Sequence, residues 1–315
     1  MRAFIVPAFG EPGSIGERPT PEPEAGQLLV RVKAASVNAM DPVVRAGWFK
    51  EFMEHRFPLT PGFDYAGTVA AVGDEVDGFA VGDEVFGAVG KTYAGEGSFA
   101  QFATVNAGIA ARLPSSVSPE QGAALPTAAG TALAAIDALD VAAGDTIGIV
   151  GAGGGVGSYA VELAANRGLR VIAVTRGEND AYLRSLGAAD VADYTTTDDE
   201  VELLRSKAPD GLAGIIDLFH DAAGAAPFAA LVRPGGVIAS PVAMGLEQAL
   251  ADEAVRGVVV QAAHGRVGEL GELAAKGQIT VPIEVVPFEE ANAAIDRQAS
   301  KMVRGKLVLR IGSEG

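Results

Sequence analysis

Cysteine is absent from the 315 residues of this chain. That removes disulfides, a thiolate nucleophile and cysteine-ligated zinc from consideration. Histidine is nearly as scarce. His55, His220 and His264 are the only three, and their spacing matches no metal-ligand pattern, so they read as structural or surface residues and no catalytic metal is expected. Positive charge is in short supply, with 24 Lys and Arg against 40 Asp and Glu and a formal net charge of −16. Phosphate-rich partners are bound by clustered Lys and Arg, so this deficit argues against a nucleic-acid or anionic-membrane surface. No stretch reaches the ~18 apolar residues needed to span a bilayer, and Met1-Arg2-Ala3-Phe4-Ile5-Val6-Pro7 is too short an apolar run for a signal peptide. The expectation is a cytoplasmic enzyme.

What the chain does have is glycine in one telling place. Ile147-Gly148-Ile149-Val150 is an apolar run, Gly151-Ala152-Gly153-Gly154-Gly155-Val156-Gly157 follows it, and a small-residue helical pattern runs over 156–167 before Gly168. A second apolar run, Val171-Ile172-Ala173-Val174-Thr175, comes next. Strand, glycine turn, helix and strand form the first unit of a dinucleotide-binding sheet. Small residues let the turn be tight, let the backbone approach a pyrophosphate and let the helix pack closely on its strand. The helix N-terminus then offers unpaired N–H groups and a partial positive charge to phosphate.

Further strand-like runs at 190–193, 215–219 and 237–240, with helical stretches such as 181–186 and 225–232 between them, continue the alternation. This predicts an α/β Rossmann domain, a doubly wound parallel sheet. Residues 1–117 differ: short alternating runs such as Leu28-Leu29-Val30-Arg31-Val32 are broken by Pro, Gly and Asp, which predicts an irregular, mostly β domain. Val-Gly-Asp-Glu-Val occurs at 72–76 and again at 81–85, a pair of similar strand turns. Ser118 with Pro119 fits a helix start. After an apolar strand candidate at 258–260 come an amphipathic helix over 267–276 and strands at 281–286 and 306–309. The predicted division is 1–117 with 265–315 for one discontinuous domain and 118–264 for the other.

Several ordered blocks resemble the medium-chain dehydrogenase/reductase superfamily, in its zinc-free quinone oxidoreductase-like branch. They are Val37-Asn38-Ala39-Met40-Asp41, Pro61-Gly62-Phe63-Asp64-Tyr65-Ala66-Gly67, Gly97-Ser98-Phe99-Ala100-Gln101-Phe102, Leu125-Pro126-Thr127-Ala128-Ala129-Gly130-Thr131, the glycine turn, Ser185-Leu186-Gly187-Ala188 and Gly305-Lys306-Leu307-Val308-Leu309. The resemblance implies a GroES-like β-barrel catalytic domain built from the N-terminal part and the C-terminal tail, an inserted Rossmann domain, an active site in the cleft and a homodimer joined through the last Rossmann strand. Zinc-dependent relatives place Cys where this chain has Asn38 and His-Glu where it has Phe63-Asp64.

For the cofactor, an NAD site usually carries an acid at the end of the second strand to bind the ribose 2′-hydroxyl. Here that position reads Thr175-Arg176-Gly177, and a guanidinium suits a 2′-phosphate. Tyr194 matches a family tyrosine near the same phosphate, so the resemblance implies NADPH. The cofactor-binding candidates are Asn38, Thr127, Thr131, Ala152, Gly153, Gly154, Gly155, Val156, Gly157, Thr175, Arg176, Tyr194, Gly224 and Ser240, the last two lying beyond the fourth and fifth strands, where open sheets bind ligands.

Hydride transfer leaves negative charge on the acceptor oxygen, and without a metal hydrogen-bond donors must stabilise it. Asn38 and Thr131 match the family's positions near the nicotinamide and are the catalytic candidates. Thr127 lies four residues before Thr131, one helical turn, and could face the same cleft. Relatives often have tyrosines where this chain has Val43 and Trp48-Phe49, so no tyrosine proton donor is expected there. Val43, Trp48, Phe49 and Tyr93, with Phe52, are the candidates for an apolar substrate pocket, against core packing as the ordinary alternative. The expected substrate is a quinone or related α,β-unsaturated carbonyl. Alternatives are an enoyl-thioester reductase of the same fold and a non-catalytic NADPH-binding redox sensor.

Overall fold

The computed structural model describes residues 1–251 and 254–312. It divides into two units: Met1–Thr127 with His264–Lys276 and Pro282–Gly315, and Ala128–Ala263 with Gly277–Val281. Residues 313–315, placed by the sequence reading in the first domain, lie outside the described residues. The units part at Thr127/Ala128 rather than at 117/118, because the Pro119–Ala124 helix packs on the Gln27–Val37 and Asp64–Val72 strands of the first unit. That helix starts at Ser118, whose hydroxyl accepts from the Gln121 N–H at 3.2 Å while the Gln121 side chain accepts from the Ser118 N–H at 2.9 Å. This is the reciprocal capping box expected of Ser followed three residues later by Gln. Residues 277–281 join the second unit through the buried Glu162 carboxylate, which accepts from the Thr280 N–H at 2.8 and 2.9 Å.

In the first unit the long Gln27–Val37 strand is the centre of a seven-stranded sheet. It pairs antiparallel with Asp64–Val72, with Phe102–Asn106 and, at its far end, with Lys306–Arg310. Its first half alternates buried and less buried positions, whereas residues 34–37 are buried on both faces. Val30, Val32, Val37, Tyr65, Phe4 and Phe99 fill the core there. Register decides what meets at the doubly buried end: Ser36 stands opposite Asp64, and Val37 opposite Leu307. The two Val-Gly-Asp-Glu-Val copies take different conformations. The first leaves the Asp64–Val72 strand with Glu75 at φ 60°, and the second turns at Gly82 and enters the Glu84–Ala88 strand.

The second unit is a six-stranded parallel sheet in the order Asp190–Asp193, Arg170–Thr175, Thr146–Val150, Leu212–Asp217, Val232–Ser240, Arg256–Val259. In chain order that is 3-2-1-4-5-6, which reverses direction beside the first strand and so opens a ligand crevice at the strands' carboxyl ends. Two elements differ from the sequence expectation. The stretch read as a helix over 225–232 is a short helix, Ala222–Ala225, followed by a 3₁₀ segment, Ala226–Leu231; Pro227 cannot donate the bond that would continue the α-helix. The helix Glu200–Lys207 was not read from sequence, because it is largely charged and buries only Leu204.

Candidate functional site

Within the nucleotide unit, Gly151 adopts φ +78°, a conformation that favours glycine, as the chain leaves the first strand. Its N–H and that of Ala152 both point at the Val174 carbonyl, 3.2 Å away, which seats the turn on the second strand. Ala152 and Gly153 are buried, and Gly154 is the N-cap of the Gly155–Asn166 helix. A glycine cap brings no side chain to the first-turn N–H groups of Gly155, Val156 and Gly157, and helix geometry gives those groups no internal acceptor. Gly157 is needed for space: a Cβ there would stand 2.5 Å from the Ala152 Cα and the Gly151 oxygen. The turn therefore presents helix-end N–H groups with nothing of its own in the way, which fits an anionic pyrophosphate.

At the end of the second strand, Thr175 is buried and its hydroxyl accepts from Asn179 Nδ2 at 3.1 Å. Arg176 follows, and its Nε donates to the Tyr194 hydroxyl at 2.8 Å. The two residues singled out for a 2′-phosphate thus come together across 18 positions of sequence. Glu178 also lies near enough to act on Arg176.

Gly224 and Ser240 are less open than their positions implied. The Gly224 N–H is taken by the Asp221 cap at 2.9 Å. Ser240 is fully buried, and its hydroxyl accepts from the N–H groups of Val242 and Ala243 at 3.2 and 3.0 Å, capping the loop after its strand. The sequence reading missed a cluster at the end of the fourth strand. Asp217, fully buried, accepts from the backbone of Phe219 and His220 and from His220 Nδ1 at 3.0 Å. Glu200 lies 4.0 Å from His220 Nε2. The Asp217 bond holds His220 above the usual imidazole range, against the effect of burial. An acid closing an apolar strand, with His three positions on, was the signal available.

The first unit gathers the other candidates around Asn38, which is 4% exposed. Its Nδ2 donates to Asp64 Oδ2 at 2.9 Å and makes only long contacts to Ser36, 3.4 Å to the hydroxyl and 3.5 Å to the carbonyl. Its Oδ1 accepts from Lys306 Nζ at 2.6 Å, and Lys306 also donates to the Val37 carbonyl at 3.1 Å. Asp64, with no exposure, accepts further from the Ser36 hydroxyl at 2.9 Å and the Thr127 hydroxyl at 2.6 Å. Asp41, equally buried, accepts from the N–H groups of Asn38 and Gly62 at 2.7 and 3.0 Å. Burial pushes the Asp41 carboxyl up to about 7, despite those two bonds and the nearby Lys306, with Asp64 adding to the rise. Asp41, Asp64 and Lys306 were quoted as family motif residues but not read as parts of a site. One acid or base in each apolar block was the clue.

Thr127 comes directly before the helix that carries Thr131, outside its first turn. The helix holding Thr131 begins at Ala128, and Leu125-Pro126 break the chain before it. Thr127 turns to Asp64 in the first unit, whereas Thr131, 6% exposed, belongs to the second. The aromatic candidates have unlike surroundings. Val43 is half-buried on the Met40–Arg45 helix, and Phe49 packs against the core. Trp48 and Phe52 are 78% and 86% exposed. Tyr93 lies under the Arg56 guanidinium, 3.5 Å from ring centroid to Cζ, and donates to Glu96 at 2.6 Å. Burial, then Glu96, pushes its phenol up to about 12, so it holds its proton near neutrality.

The residues at this site do not suit zinc. Zinc is held by thiolate, imidazole or free carboxylate, but positions 38 and 63 are Asn and Phe. The Asp64 oxygens already accept from Ser36, Asn38 and Thr127, and the Lys306 ammonium occupies the Asn38 oxygen. No group of three or more His, Asp or Glu side chains disposed for a metal occurs among the described residues.

Comparison with known proteins agrees with this architecture. Residues 24–115 match the family model "Alcohol dehydrogenase GroES-like domain", and residues 186–309 match "Zinc-binding dehydrogenase". A chloroplast envelope quinone oxidoreductase homolog of Arabidopsis thaliana is 34% identical over 56% of this chain and 55% of its own length. The match thus spans about half of that relative. An alcohol dehydrogenase of Geobacillus stearothermophilus is 26% identical over 99% of this chain and 100% of its own. The solved quinone oxidoreductase of Coxiella burnetii superposes with a TM-score of 0.89 at 27% identity, covering 99% of each chain. The two units are accordingly a GroES-like domain and a parallel-sheet Rossmann-like domain.

Proposed function

The chain belongs to the medium-chain dehydrogenase/reductase superfamily, in its quinone-oxidoreductase-like branch, and from that premise we propose that it is a zinc-independent, NADPH-dependent reductase of a quinone or a related α,β-unsaturated carbonyl. The observation that carries the reading is the glycine turn with its uncapped helix start, followed on the next strand by Arg176 bonded to Tyr194. When bound, NADPH supplies the hydride. The N–H groups of Gly155, Val156 and Gly157 hold the pyrophosphate, with Ala152, Gly153 and Gly154 shaping the turn beneath it. Arg176 takes the 2′-phosphate and Tyr194 steadies its guanidinium. The Gly224 N–H is already taken by Asp221, so Gly224 shapes its loop, whereas the Ser240 hydroxyl, an acceptor from Val242 and Ala243, keeps its own hydrogen to donate.

On the acceptor side, the Asn38 hydrogen that makes only long contacts to Ser36 is the donor with capacity for the oxygen on which charge develops. Thr131 supplies a hydroxyl for the cofactor's carboxamide. Reduction of a quinone needs no dedicated carbon acid. The zinc-independent assignment rests on the donor set at positions 38, 63 and 64. The reading extends to a cytoplasmic homodimer paired along the Arg256–Val259 edge of the sheet.

One assay tests it. The protein is mixed with NADPH or NADH and offered 1,4-benzoquinone, an enone or a crotonyl thioester, while reduced-nicotinamide absorbance is followed. Oxidation of NADPH with the quinone or enone, unaffected by chelator, is expected. Turnover only with the thioester would make it an enoyl reductase; binding without turnover would make it a redox sensor.

A further inference from the structure

Lys306 opens the closing strand of the first unit and is 4% exposed. Burying an ammonium is costly, and burial holds its pKa below the usual lysine range, with Asp64 and Asp41 opposing. Both of its named acceptors are neutral oxygens, Asn38 Oδ1 at 2.6 Å and the Val37 carbonyl at 3.1 Å. The carboxylates nearby are each held by other donors, Asp41 by backbone N–H groups and Asp64 by Ser36, Asn38 and Thr127. The ammonium is thus aimed at the amide. Because it can only donate, it fixes which end of the amide is oxygen and turns Nδ2 toward Asp64. A cation on the amide oxygen also polarises the group and strengthens its N–H donors.

We propose that Lys306 is the internal cation of this site, a positioning residue that acts through the Asn38 amide and supplies the positive charge for which zinc-dependent relatives use a metal. Its kinetic consequence rests on the reductase reading; its structural consequence does not. Asp41, Asp64 and Lys306 are the charged groups facing one another here, on the Met40–Arg45 helix and the Asp64–Val72 and Lys306–Arg310 strands. Their combined charge changes as Asp41 titrates, so the amide should report that titration.

The test uses the full chain with two readouts. The first needs neither cofactor nor acceptor: the Asn38 side-chain amide signals, assigned by their loss in Asn38→Ser, are followed by ¹⁵N NMR across neutral pH. In the native protein they should exchange slowly with solvent and shift as Asp41 titrates; in Lys306→Met they should lose both the protection and the native shift. The second readout is turnover with benzoquinone. Lys306→Met should lower kcat about 10- to 100-fold while leaving KM for NADPH within about two-fold. Should Lys306→Met not fold, the charge-balanced Asp41→Asn/Lys306→Met protein replaces it with the same expectations. Asn38 signals unchanged in the folded variant overturn the proposal, as does an unchanged kcat. If the native protein turns over no acceptor, the reductase reading fails and the NMR result alone decides the role of Lys306.

Discussion

In the nucleotide unit the N–H groups proposed to hold the pyrophosphate come from neighbouring residues, 155–157, whose strand, turn and helix follow one another without a break. In the first unit Asn38 and Lys306 touch at 2.6 Å although 268 positions separate them, and Asp64 and Thr127 close the group from two further segments. One site is built by local geometry, from backbone N–H groups and residues small enough to expose them. The other is built by register, where a doubly buried strand end meets two neighbours, and its working parts are charged side chains in the core. Damage to the first should cost mainly binding. Damage to the second should cost stability and pH behaviour as well.

The largest effect is expected at Lys306. Replacing it with Met leaves Asp41 and Asp64 buried without their cation and should destabilise the protein by about 3–5 kcal/mol in urea unfolding, while Asp41→Asn added to it should restore a large part. An unchanged unfolding midpoint in the single variant would mean that the charges are not coupled. Next comes pH. The Asp41 carboxyl lies at about 7 in the folded protein against 3.8 when unperturbed. The folded state therefore binds its proton more tightly than the unfolded state. The resulting stability is complete below the unfolded value and is lost as pH rises through about 7, an amount on the order of 4 kcal/mol. Stability curves of the native protein and Asp41→Asn should diverge across that window; parallel curves would remove Asp41 from the account.

The local site is sharpened by Gly157→Ala. The new Cβ meets backbone atoms that cannot swing aside, so a loss of about 2–3 kcal/mol and at least about tenfold weaker NADPH binding by calorimetry are expected. Arg176→Ala should reduce the preference for NADPH over NADH about tenfold or more, and equal ratios before and after would refute its role. Tyr194→Phe, which removes only the partner of Nε, should shift that ratio by about two- to threefold, roughly one ordinary hydrogen bond or less.

How much of this could be read without coordinates follows the same division. The glycine turn, its flanking strands and the Arg176 position were legible because each depends on residues within one βαβ unit. Even the pairing of Arg176 with Tyr194 needed only the expectation that the second and third strands are neighbours. Lys306 was not legible as a partner of Asn38, since nothing short-range links them and a lysine after glycine reads as a strand end at the surface. His220 was read as a structural or surface residue, and its partner, the buried acid Asp217, was concealed by the apolar run before it. The twin Val-Gly-Asp-Glu-Val copies make the same point in small: identical pentapeptides, one leaving a strand and one entering the next.

Sequence alone determined the strand–turn–helix–strand unit around the glycine turn and the lack of thiolate ligands, because spacing and residue size act over a few positions. Tertiary structure decided where the units divide, which way the Asn38 amide faces and which charges are buried together, because strand register brings distant residues into an interior where an unpaired polar group is too costly to leave alone.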